Sequence, residues 1–101
     1  MSATVKISGG VALIVLSGDF DFSTQEELAD AIETALDADG VKEIRVDLAG
    51  TTFIDSSVIR ALLRLRQAAI SENMSLTLWN LNEQIEEIFA IGGFDQLFEV
   101  H

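Results

Sequence analysis

One short segment of the sequence could carry a regulated chemistry, Asp55-Ser56-Ser57. A serine hydroxyl displayed where a strand passes into a helix is accessible to a kinase, and phosphorylation of Ser56 would add roughly 1.5 to 2 negative charges beside Asp55. The alternative is structural, because a hydroxyl at a helix N-cap accepts a backbone hydrogen bond worth about 1 kcal/mol, and an aspartate there favours the helix dipole. These residues alone leave both interpretations open.

A basic stripe follows this segment. Residues 56–71 include three arginines and no acidic residue. Arg60, Arg64, Gln67 and Ser71 recur every three or four residues, which places them on one face of a helix. This face could meet acidic groups on a partner or neutralise a phosphate on Ser56, or it could simply be solvated.

The sequence contains no pattern that indicates a catalytic or metal-binding site. The single histidine, His101, is the last residue, so it cannot complete a Ser-His-acid arrangement in an ordered core. The absence of cysteine excludes thiolate metal sites and disulfides. The segment 19–23 has the spaced oxygens of a calcium loop, but Thr24 stands where that loop needs glycine. We therefore expect neither an enzyme nor a metal or other cofactor.

The overall composition narrows the class of partner. Seventeen acidic and six basic residues give a net charge of −11, which argues against nucleic acid or an anionic membrane surface. No apolar run approaches the roughly 18 residues of a membrane span, and the first residues lack the pattern of a signal peptide. We expect a single domain over residues 1–101 that is cytoplasmic, monomeric and not inserted in a membrane.

The elements that must position Ser56 follow from the hydrophobic periodicity. Two short apolar runs separated by Ser8-Gly9-Gly10 predict an antiparallel hairpin. A helix is then expected to begin with the capping-box spacing of Thr24 and Glu27, or of Ser23 and Glu26, and to stop at Gly40. A strand over 41–48 and a largely buried extended segment over 51–54 lead to Asp55.

After Asp55 the period becomes helical. Residues 58–70 predict a mostly buried helix with a narrow basic face, and 75–81 alternate as a strand in which Trp79 packs in the core or on a sheet face. Asn82 is a plausible cap for a third helix ended by Gly92-Gly93, and 97–100 form a last short strand. The order β-β-α-β-α-β-α-β predicts an α/β fold with one mixed sheet, antiparallel at its opening hairpin and then parallel, covered by three main helices.

Three stretches, in the right order, resemble the STAS domain family and in particular the small bacterial anti-sigma factor antagonists. The most specific is 46–57 (VDLAGTTFIDSS), which is similar to the family's strand leading to Asp-Ser-Ser or Asp-Ser-Thr. The stretch 16–21 (LSGDFD), followed by Thr24, is similar to the family's Gly-Glu-Leu-Asp segment. The third, 88–98 (IFAIGGFDQLF), is similar to its C-terminal helix and turn.

This resemblance implies a partner-switching cycle. The unmodified antagonist binds an anti-sigma factor that is also a serine kinase, the kinase phosphorylates the serine after the aspartate, and a metal-dependent serine phosphatase removes the phosphate. By position that serine is Ser56, with Ser57 as a helix cap or secondary site. Asp21 and Asp55 match the acidic residues beside it, and the basic stripe of Arg60 and Arg64 begins next to it.

The sequence departs from the family pattern immediately after the serines. Phosphorylated antagonists usually continue with Gly-Leu, whereas this chain has Val58-Ile59, and valine adds a stiff β-branched side chain where a kinase would approach. The family also includes STAS subunits that are never phosphorylated, in lipid-transport and stress-sensing complexes. A constitutive subunit of that kind is the alternative function.

Overall fold

The computed structural model describes residues 2–101 and contains a single five-stranded sheet in the order β1-β2-β3-β4-β5. The predicted order of elements is confirmed. The strands and helices are β1 (Ser2–Ser8), β2 (Val11–Ser17), α1 (Gln25–Asp37), β3 (Glu43–Gly50), α2 (Ser56–Ser71), β4 (Ser75–Trp79), α3 (Glu83–Gly92) and β5 (Glu99–Val100).

The sheet is mixed, as the sequence predicted. β1 and β2 are antiparallel and turn through Gly9 and Gly10, whose φ angles of 57° and 80° are in the left-handed region that glycine adopts readily. β2, β3, β4 and β5 pair in parallel with their sequence neighbours. Because crossovers between parallel strands are right-handed and all proceed in one direction across the sheet, the three main helices cover the same face.

The core lies between that face and the helices. Its centre is made of alternate residues on β2 and β3 and of the inner side of α2, all at most 1% exposed: Ala12, Ile14, Leu16, Ile44, Val46, Leu48, Val58, Leu62 and Leu65. The other face of the sheet, which the main helices do not cover, carries the remaining alternate residues of the strands. There Trp79 stacks on the His101 ring with centroids 4.4 Å apart, and the Arg45 guanidinium lies 5.0 Å from the indole, so Trp79 packs on a sheet face.

Two local predictions were wrong. The capping box belongs to Asp21 and Thr24 and caps a single 3-10 turn, Phe22–Thr24, from which α1 continues; Thr24 makes no side-chain cap for α1. The reason is that Asp21, a strong N-cap residue, accepts from the Ser23 N–H at 2.8 Å one turn before the predicted start. The segment before Asp55 is only half buried, because Thr51 and Ile54 are 1% exposed but Phe53 is 41% exposed.

The later boundaries agree with the sequence to within a few residues. Asn82 caps α3, its side-chain oxygen accepting from the Ile85 N–H at 2.8 Å, and Gly93 ends that helix with a φ of 75°. The basic face predicted for α2 is present, because all four of its residues are exposed: Arg60, Arg64, Gln67 and Ser71. Within residues 2–101, no helix is both long enough and apolar enough to cross a membrane.

Candidate functional site

Two loops at the carboxyl edge of the parallel strands form the candidate site. The loop that follows β2 and the loop that follows β3 are joined by backbone hydrogen bonds from Gly18 N–H to the Gly50 carbonyl (2.9 Å) and from Phe20 N–H to the Phe53 carbonyl (3.1 Å). The Thr52 hydroxyl adds a bond of 2.7 Å to the Asp19 carboxylate. These contacts hold the segment containing Asp21 against the segment containing Asp55.

Asp55 is the residue that organises the site. Its Oδ1 accepts from the Ser57 N–H at 2.9 Å, from the Val58 N–H at 3.3 Å and from the Ser57 hydroxyl, and its Oδ2 accepts from the Phe22 N–H at 3.1 Å. The same carboxylate therefore caps α2 and ties the two loops together. The Ser57 hydroxyl first, and then these backbone donors, keep the pKa of Asp55 below its ordinary value despite the opposing effect of burial.

The two serines occupy different environments. Ser57 is only 4% exposed and its hydroxyl is engaged by Asp55, which leaves it poorly accessible to a kinase. Ser56, the first residue of α2, is exposed, and its hydroxyl has no hydrogen-bond partner among residues 2–101. The prediction that a serine caps this helix was wrong, because the longer reach of the Asp55 carboxylate fills that role from the preceding position.

The departure at Val58 does not add bulk to the surface. Val58 is 1% exposed and Ile59 is 5% exposed, so both side chains point into the core below the helix. The β-branched side chain that stands in place of the family's glycine is therefore packed away from the Ser56 hydroxyl. The steric obstacle expected from the sequence is absent from the exposed side of the site.

The charged residues predicted for the site are distributed around it. Asp21 is half-buried, and its carboxylate accepts hydrogen bonds from the N–H and the hydroxyl of Ser23. The next residue, Phe22, donates its backbone N–H to Asp55. Arg60 and Arg64 are exposed along α2 and form no ion pair with any residue in 2–101. The third arginine of this segment, Arg66, has a structural contact instead, donating from Nε to the Leu97 carbonyl at 2.7 Å.

One residue of the site was missed by reasoning from the sequence. Phe22 is 75% exposed, although its neighbour in the Asp-Phe-Asp-Phe run, Phe20, is fully buried. Phenylalanine is one of the aromatic residues that are enriched in protein interfaces relative to the rest of the surface. Alternation in an extended segment would place both phenylalanines on one face, but the 3-10 turn that begins at Phe22 breaks this pattern and turns its side chain outward, and no pattern in the run signalled that.

The arrangement suits modification and binding. It offers a free hydroxyl at a helix N-terminus, where backbone N–H groups and the helix dipole favour an anion, with Arg60 one turn further along the helix. Residues 2–101 contain no group of three or more histidine, cysteine, aspartate or glutamate side chains placed to hold a metal ion. The hydrogen bond from the Phe22 N–H to Asp55 holds the loop that carries Asp21 and the exposed Phe22 beside the start of α2.

Comparison with known proteins gives consistent results. A family model described as "Mlab, STAS domain" matches residues 3–99. A STAS-domain containing protein of Pseudomonas aeruginosa is 34% identical over 100 residues, which are 99% of this chain and 97% of that protein.

Solved structures of anti-sigma factor antagonists share the fold. The antagonist from Mycobacterium paratuberculosis has a TM-score of 0.87 at 21% identity, covering 99% of this chain and 84% of that one. The Bacillus cell fate determinant SpoIIAA in its phosphorylated form has a TM-score of 0.75 at 19% identity, covering 99% and 91%.

Proposed function

The chain belongs to the STAS domain family, and from this premise we propose that it is a phosphorylation-controlled, protein-binding regulator of the anti-sigma factor antagonist type. In this proposal it binds an anti-sigma factor with serine kinase activity while Ser56 is unmodified and is released when Ser56 is phosphorylated. A metal-dependent serine phosphatase resets the cycle. The chain itself catalyses nothing.

The observation that carries the proposal is the contrast between the two serines. Ser56 is exposed with a free hydroxyl, whereas the Ser57 hydroxyl is buried and hydrogen-bonded to Asp55. A kinase could therefore reach Ser56 without unfolding any part of the helix. The solved phosphorylated form of SpoIIAA, which shares this fold, adds support by analogy.

The switch would act on the surface and leave the fold in place. A phosphate on Ser56 lies at the N-terminus of α2, where the helix dipole favours it, and Arg60 is one turn away. The added charge instead disfavours binding of the partner, because the contact surface would then contain a dianion next to Asp55 and Asp21. Like charges brought together in an interface cost several kcal/mol, so the modified protein is released.

A substitution that mimics the phosphate tests the proposal. The full chain, tagged in its native cell, is used to isolate the binding partner, and the affinity of that partner is then measured for purified variants. Ser56→Asp should weaken binding by at least about 2 kcal/mol, which is roughly 30-fold. Ser8→Asp is the matched control, since it places the same charge on an exposed serine at the end of β1, at the opposite edge of the sheet from Ser56, and should change affinity less than about threefold.

Two results would count against the proposal. Equal binding by Ser56→Asp and the unmodified chain would show that charge at Ser56 does not control the partner. A partner that co-purifies stably and is insensitive to ATP and to phosphatase would favour the constitutive subunit instead.

A further inference from the structure

A groove runs between α1 and α2 and begins at the Ser56 site. Its first part has a volume of about 700 Å³ and its second part about 500 Å³, and the two share Leu36 and Asp37. Phe22 and Ser23 line one end of the groove, and the Phe22 N–H links that end to Asp55, the residue before Ser56. Since α1 has 13 residues, its wall of the groove is roughly 20 Å long.

Small and apolar side chains line much of the groove. Ala29 and Ala61 face it from α1 and α2, and Ala68 continues the α2 wall in the second part. Ile32 and Leu36 are only half-buried and complete an apolar floor. The apolar stripe of α1 is therefore wider than the core requires, which is a feature of surfaces that pack against another element.

The rim of the groove is acidic. Glu26, Glu33 and Asp37 line the first part and Glu72 the second, against the single arginine Arg64. Within residues 2–101 none of these carboxylates forms an ion pair. An apolar floor with an unneutralised acidic rim is complementary to a helix that presents a narrow apolar stripe flanked by lysine and arginine.

We propose that the groove between α1 and α2 binds a basic amphipathic helix of about three turns from the partner protein, extending the contact that begins at Ser56. This inference rests on the proposed function for the identity of the partner, but not for the binding of such a helix. Phe22 joins the two surfaces, since its ring lines the groove and its backbone N–H bonds to Asp55.

The probe is a synthetic helical peptide of about 15 residues with leucine and alanine on one stripe and lysine elsewhere, together with a twin in which glutamate replaces every lysine. Binding to the isotopically labelled full chain is followed by NMR. The lysine peptide should give saturable shifts centred on Ala29, Ile32 and Ala61, and the glutamate twin should give none.

Three variants test the role of charge in the groove. Glu33→Lys should weaken the lysine peptide about tenfold, because it replaces an attraction with a repulsion. Asp30→Lys, the matched control, changes the net charge equally from an exposed position on α1 outside the groove and should weaken binding less than threefold. Arg64→Glu should strengthen binding.

Four results would overturn the inference. These are equal loss in Glu33→Lys and Asp30→Lys, equal binding of the two peptides, groove shifts that appear on raising the protein concentration alone, and the same shifts produced by an uncharged detergent. The third would assign the groove to a second copy of the chain and the fourth to an apolar small molecule. The test uses unmodified protein and no kinase, so its failure leaves phosphorylation of Ser56 standing, and the reverse also holds.

Discussion

Replacing Asp55 should damage the protein in a way that depends on which of its hydrogen bonds is lost. In Asp55→Ala, α2 loses its N-cap, worth about 1 kcal/mol, and the buried Ser57 hydroxyl loses its acceptor, at a cost of about 1 to 3 kcal/mol. The Phe22 N–H is exposed, so water can take the place of the carboxylate there. We expect the free energy of unfolding to fall by about 2 to 4 kcal/mol.

Asp55→Asn separates these contributions. Its amide oxygen can still accept from Ser57 and Val58, while its amide nitrogen cannot accept from Phe22, so the loss should be at most about 1 kcal/mol. Urea unfolding followed by the fluorescence of Trp79, the only tryptophan, measures both variants. The reasoning is refuted if Asp55→Ala lies within about 0.5 kcal/mol of the unmodified chain, or if the two variants are equally destabilised.

Three further predictions follow from the same contacts. Folding lowers the pKa of Asp55, so the contribution of this carboxylate to stability is complete above its unfolded pKa of about 4 and is lost as the pH falls through the folded pKa. When the free energy of unfolding is measured as a function of pH in this acid range, it should therefore decrease less steeply in Asp55→Asn than in the unmodified chain. Phe22→Ala should leave the free energy of unfolding within about 0.5 kcal/mol of the unmodified chain but weaken binding of the partner by about 2 kcal/mol. Ile91→Ala, at a side chain that is 80% exposed, should change neither quantity, and equal effects of the two variants on binding would show that Phe22 is not in the interface. Val58→Ala should cost about 1 to 3 kcal/mol of stability on urea unfolding without changing the rate of Ser56 phosphorylation, and a faster rate would show that valine does obstruct the kinase.

Much of the fold could be predicted from the sequence because its signals are local and agree with one another. The glycines between the first two strands, Asn82 before α3 and Gly93 after it each act through their own backbone, and the structure has them in those roles. The change of period from alternating to helical at Asp55 located the start of α2. Chirality of parallel crossovers then fixed the sheet.

The site was predicted less completely because its contacts are long-range. Several strong capping residues lie close together in both loops, and the sequence cannot show that Asp21 and Asp55, not the serines or Thr24, would supply the side chains that accept the capping hydrogen bonds. The bond from Phe22 to Asp55 joins residues 33 positions apart, and no pattern in either segment reveals it. The burial of the Val58 side chain away from Ser56 could not be predicted either, since it depends on which side of the helix faces the sheet.

The central claim is that Ser56 carries a phosphate that controls binding. The most direct measurement is the intact mass of the protein purified from its native cell, with fragmentation to place the modification, before and after treatment with a serine phosphatase. We predict one phosphate on Ser56 in part of the population, removed by the phosphatase, and none on Ser57. A protein that carries no phosphate under any growth condition, or one that carries it only on Ser57, would contradict the account.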